Sequence, residues 1–182
     1  MLPGRFEEKL AAVARAGIQS VELLDAEHTR WTEAEADHAR RLLRAYNLTV
    51  DTIAAAADWQ STVALARKLE APMVLVTPAS GTRMGDLAVR AGLTVLHRSL
   101  DVVKQLDHPS VRLLFDTGSF ESAAPYVKVI HAPEVPSEDF YKAVVKSGFE
   151  GHIAMAYTPA GDLAASLMRA VDGMRRSLAA KP

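Results

Sequence analysis

A chain of 182 residues, 49% hydrophobic and 24% charged, is long enough to bury a core and too apolar for wholesale disorder. Its formal net charge of −1 leaves no electrostatic footprint for nucleic acid or an anionic membrane, and the lack of cysteine excludes a disulfide framework, a thiolate zinc site or a cysteine nucleophile. No apolar run approaches the length of a membrane span, and the opening MLPGRFEEKL lacks the apolar core of a secretory signal, so a single cytoplasmic domain over residues 1–182 is expected.

Residues 6–16 carry Phe6, Leu10, Val13 and Ala14 between charged Glu7, Glu8, Lys9 and Arg15, an amphipathic helical pattern that Gly17 stops. SVELL at 20–24 reads as a short strand, followed by a polar loop over 25–29. Thr32, with Glu35 three residues on, forms a capping box for a helix that runs to about Tyr46. LTVDTI (48–53) is the next strand, 61–69 a helix, PMVLVT (72–77) a strand and 86–91 a short helix. LTVL (93–96) and the helix 99–106 follow, then two strands, VRLLF (111–115) and VKVI (127–130), with only ESAAPY between them. Ser137 caps a helix that ends at Gly148, HIAMAY (152–157) is the last strand, and a long amphipathic helix over 162–178 closes the chain.

Seven strands alternating with helices predict a parallel α/β fold, either a doubly wound open sheet or a (β/α) barrel. No Gly-rich dinucleotide turn and no phosphate-cradling GK[ST] loop is present, so the nucleotide-binding versions have no support. The chain opens on a helix, as if a first strand were missing, and is shorter than the ~250 residues of an eight-unit barrel. The strands VRLLF and VKVI are followed at once by Asp116 and His131. A polar group just past the end of a buried parallel strand stands at the mouth of the sheet, where such folds bind ligands. Each has a structural alternative: Asp116 as a turn cap, His131 as a hydrogen-bonded loop histidine. Glu22, inside SVELL, needs a partner, for which Arg98 and Arg112 are the candidates.

In order and at these spacings, the segments AGIQSVELL, LLRAYNLTVDT, LARKLEAPMVLVTP, LDHPSVRLLFDTGSF, VKVIHAPEVP and FYKAVVKSGFEGHIAMAYTP resemble the xylose isomerase-like TIM barrels. That group holds sugar phosphate isomerases/epimerases, hydroxypyruvate isomerases and, more distantly, endonuclease IV-type enzymes. The resemblance implies an abbreviated TIM-type barrel of about seven parallel strands with the first strand missing. It also implies a divalent metal, Mn²⁺ or Mg²⁺, that grips two oxygens of a hydroxycarbonyl substrate while a glutamate moves a proton. By position it makes Asp116 and His131 metal ligands and Glu22 the catalytic carboxylate, with Glu134 and His97 as substrate contacts.

Three positions depart from that pattern. Ala156 stands where a glutamate of the last strand is usual, Arg98 or His97 where another is usual, and Ser119 follows DTG where a histidine is usual. An alanine cannot bind a cation and an arginine repels one, so the metal site is expected to be depleted. Two readings follow: an isomerase or epimerase of a small sugar or hydroxy acid, or a catalytically silent relative that binds a ligand or regulates. A DNA-repair nuclease would need a larger cluster of metal ligands and a basic groove, and the sequence offers neither. The exposed edges SVELL and HIAMAY call for cover by the N-terminal segment or by a second copy in a homodimer.

Overall fold

The computed structural model describes residues 5–55, 59–76, 84–132, 138–155 and 161–179. Seven strands form one sheet: β1 (Ser20–Leu23), β2 (Thr49–Ala54), β3 (Met73–Leu75), β4 (Thr94–His97), β5 (Val111–Phe115), β6 (Val127–Ala132) and β7 (His152–Met155). They lie side by side in chain order, and every neighbouring pair is parallel. The helices are α1 (Phe6–Arg15), α2 (Glu33–Ala45), α3 (Trp59–Leu69), α4 (Met84–Ala91), α5 (Leu100–Leu106), α6 (Phe120–Ala123), α7 (Glu138–Lys146) and α8 (Leu163–Ala179). A sheet ordered by sequence, with helices in the crossovers, curls into a nearly closed TIM-type barrel. The open doubly wound alternative is thereby excluded, because that architecture reverses its strand order at a switch point.

Strand alternation explains the core. Met73, Leu75, Leu96, Leu114 and Val129, with Ala154 beside them, form a small cluster in the barrel lumen. Their strand neighbours Val74, Val95, Leu113, Phe115 and Ile130 belong to the larger cluster beneath the helices. Both faces are therefore apolar, which is why these strands read as near-continuous hydrophobic runs. The ladder runs from β1 to β7 with no pairing between those two strands among the described residues. Outside this seam α1 packs on α8, and Arg175 of α8 donates to the Gly17 carbonyl at 3.4 Å.

Local signals act as read. Thr32 caps α2: its N–H donates to the Glu35 carboxylate at 2.7 Å and its Oγ1 accepts the Glu35 N–H at 3.3 Å. The bond from the Thr32 backbone holds the Glu35 carboxyl below its ordinary range. Gly17 takes a left-handed φ of 72° between α1 and β1, a turn that a residue with a Cβ would strain. Four segments differ from expectation. The loop at 25–29 is instead a 3₁₀ helix over Ala26–Arg30, and the ESAAPY linker winds into α6 and a 3₁₀ turn, Ala124–Tyr126. β4 and β6 also run further than predicted, to His97 and Ala132, so His97 and His131 lie inside strands. Glu134, Ser137 and Ala156 lie outside the described residues.

Candidate functional site

Four side chains meet where the strands end. β1 brings Glu22 and β6 brings His131, while Arg98 and Asp116 follow directly on β4 and β5. His131 faces the lumen because its register partner is Ala154, which packs on the lumen cluster. Its Nε2 lies 2.7 Å from Glu22 Oε2, and its Nδ1 lies 3.0 Å from Asp116 Oδ1. Arg98 Nη1 donates to the other Asp116 oxygen, Oδ2. The result is one chain, Glu22–His131–Asp116–Arg98, in which each link has the charge-assisted form. Side-chain exposure rises from 4% for His131 and 14% for Glu22 to 30% for Asp116 and 44% for Arg98, so the chain leads from the interior to the mouth.

An imidazole with a carboxylate oxygen at both nitrogens donates to both only when doubly protonated; otherwise one carboxyl must hold the proton. In the fully charged form two acids face two cations, and the cluster balances. One polar atom is left over. Glu22 Oε1 is buried and has no hydrogen-bond partner in the described structure, and the same holds for Thr52 Oγ1. Thr52 lies opposite Glu22 in the β1–β2 register and opposite Met73 of the lumen cluster. A fully buried hydroxyl and a carboxylate oxygen, on residues paired in the strand register, are thus left without a partner among the described residues.

A divalent ion does not fit this donor set as arranged. The two nitrogens of His131 lie on opposite edges of the ring, and each is already engaged. A guanidinium occupies the outer oxygen of Asp116. No group of three or more His, Asp or Glu among the described residues converges as cation ligands.

His97 is not brought to this cluster. Its register partner Leu113 belongs to the core beneath the helices, so the ring is buried on the outer face. There Nδ1 accepts the Ser99 N–H at 3.0 Å, and burial pushes its pKa below the usual imidazole range. The expected partners also rearrange: Glu22 pairs with His131, and the nearby arginine Arg98 pairs with Asp116. Arg98 is the site residue that sequence reasoning misplaced; the signal for it was its position directly after a buried strand. A second acid–histidine pair, Asp51 with His152 Nδ1 at 2.9 Å, also escaped notice. It joins β2 to β7 across the seam, where the β1–β2 register skips Asp51. A hollow of about 380 Å³ between α1 and α2 has Phe6, Trp31 and Ala39 in its walls and none of the four cluster residues.

No model of a known protein family matches the sequence, and no curated protein matches it. Solved structures do. An AP endonuclease of family 2 from Brucella melitensis is similar at a TM-score of 0.76 and 16% identity, over 93% of this chain and 93% of that one. D-psicose 3-epimerase from Clostridium cellulolyticum H10, solved with D-tagatose, is similar at a TM-score of 0.72 and 12% identity, over 97% and 94%. A xylose isomerase domain protein from Planctomyces limnophilus is similar at 0.69 and 17%, over 93% and 92%. Seven parallel strands in chain order and these likenesses together show that the chain has a TIM-type (β/α) barrel fold, the one it shares with these solved structures.

Proposed function

We propose that this chain is a sugar isomerase- or epimerase-like protein that takes a small hydroxycarbonyl compound, a sugar or hydroxy acid, into the barrel mouth and moves a proton on it. The observation that carries this reading is Glu22. One of its oxygens is fixed by His131 at 2.7 Å, and the other, Oε1, is buried and unpartnered, on the residue that lies opposite Thr52 in the strand register. A carboxylate oriented through one oxygen, unpaired at the other and shielded from water has the set-up of a general base. In the step, Glu22 takes the proton from the carbon that bears a hydroxyl next to the carbonyl. The C–H electron pair moves into the new carbon–carbon double bond, and the charge settles on the carbonyl oxygen as an enediolate. Return of the proton to the neighbouring carbon, with the hydroxyl proton passing to the enediolate oxygen so that the carbonyl moves over by one carbon, completes an isomerisation. The Thr52 hydroxyl supplies a hydrogen bond to the substrate, and His131 keeps the carboxylate aimed.

A second reading, a catalytically silent barrel that binds a ligand or regulates, is favoured by a different observation. The links from His131 to Asp116 and from Asp116 to Arg98 are satisfied among themselves, as a purely structural network would be. Solvent exchange separates the two. The chain is incubated in D₂O with three- to six-carbon sugars and hydroxy acids, and proton NMR follows loss of the signal next to the carbonyl. Exchange that Glu22→Gln abolishes, with binding retained, supports the enzyme. Thermal stabilisation by a ligand without exchange supports the silent reading, and neither signal with any compound overturns both.

A further inference from the structure

Resting on the proposed proton-transfer site, we infer that Arg98 is the built-in cation of this barrel mouth, standing where a divalent metal would serve, and that the ligand is an oxyanion-bearing hydroxycarbonyl compound. Two observations support it. First, Arg98 follows β4 directly and is tied by Nη1 to Asp116, so its guanidinium is positioned and not adrift. Second, among the described residues this is the one engagement its five N–H donors make, and 44% of the side chain is open at the mouth. A planar fork with free donors matches a carboxylate or phosphate edge, whereas a neutral sugar hydroxyl uses it poorly.

The same geometry disfavours a divalent ion. A metal bound to Asp116 would stand beside the guanidinium held on that same carboxylate, and the two cations repel. The site thus trades metal chelation of two neutral oxygens for a salt link to one charged group. In this arrangement the guanidinium holds the anionic end of the ligand at the mouth, and the hydroxyl-bearing carbon lies inward, towards Glu22 and Thr52. The ligand could present either a carboxylate or a phosphate, since both offer the paired oxygens that the fork accepts.

Calorimetry and thermal shift on the full chain test this with four probes: Mn²⁺, dihydroxyacetone, dihydroxyacetone phosphate and glycerate. The expected result is no Mn²⁺ binding in the wild type, with one charged probe binding about tenfold or more tighter than dihydroxyacetone, as a charge-assisted fork requires. Preference for glycerate assigns a carboxylate, and preference for the phosphate ester assigns a phosphate. Arg98→Gln then abolishes the preference, and Arg98→Glu, which adds a third acid beside Asp116 and Glu22, gains Mn²⁺ binding. Circular dichroism checks that each variant is folded, and Arg98→Gln alone decides the anion arm where Arg98→Glu does not fold. Mn²⁺ binding to the wild type that Asp116→Ala removes overturns the inference. So does equal affinity for charged and neutral probes, or binding of none of them. Anion binding without solvent exchange leaves Arg98 in this role and removes only the proton transfer.

Discussion

Replacing Glu22 and His131 singly and together measures whether β1 and β6 meet inside the barrel. The two side chains are 14% and 4% exposed and 2.7 Å apart, on strands that are not neighbours in the sheet. At an effective dielectric near 20, unit charges about 4 Å apart attract by roughly 4 kcal/mol. Withdrawal of both groups from water costs several kcal/mol per ion before relaxation, which removes most of that gain. What remains is the range of a hydrogen bond to a charged group, about 1.5–3 kcal/mol. The perturbations are Glu22→Gln, His131→Gln and the double variant, and the assay is urea unfolding followed by circular dichroism with linear extrapolation. The coupling energy of the cycle should fall in that range, and each single variant should cost more than the double variant's excess over the other. A coupling below about 0.5 kcal/mol, the value of an exposed pair, would show that the two groups do not share a buried contact and would refute the site.

Two further outcomes follow from the same geometry. Leu114, fully buried in the small lumen cluster, should cost about 2–5 kcal/mol when cut to alanine, seen as a lower urea midpoint, because its neighbours Leu75, Leu96 and Val129 sit on strands hydrogen-bonded on both sides, which resist collapse into the cavity. His97 has its pKa lowered by burial, so below the unfolded imidazole value of about 6.5 the unfolded chain binds a proton that the folded one resists. Stability linked to it is present above that pH and is lost as the pH falls. His97→Asn, whose Oδ1 can still accept the Ser99 N–H, should flatten this acid limb of the urea midpoint. An unchanged slope would place the loss at other groups.

Some of the site was legible before any fold was in hand. Asp116 and His131 stand directly after or at the close of short, doubly buried strands, and chain direction alone puts such residues at one end of a parallel sheet. Glu22 was legible for a different reason: a carboxylate inside SVELL cannot stay unpartnered. Its partner was not legible, because Glu22 and His131 are 109 residues apart and meet only when the sheet curls. His97 and Arg98 show the limit most sharply. Extending β4 by one residue makes His97 the last strand position, and the two-residue period of a strand then turns its ring outward to Leu113. Arg98, one step on, is left at the mouth with Asp116.

The sequence by itself determined the local elements: apolar runs of strand length, the capping box at Thr32, the glycine stop at Gly17, and the helix–strand alternation that demands parallel pairing. These depend on residues within a few positions of one another. Only the tertiary structure decided that the sheet curls with its strands in order, that α1 meets α8 over the seam, and that Arg98, not a metal-binding acid, completes the Asp116 end of the cluster. Those are choices of partner across the barrel, and hydrophobic pattern fixes which face a side chain takes without naming what it will meet there.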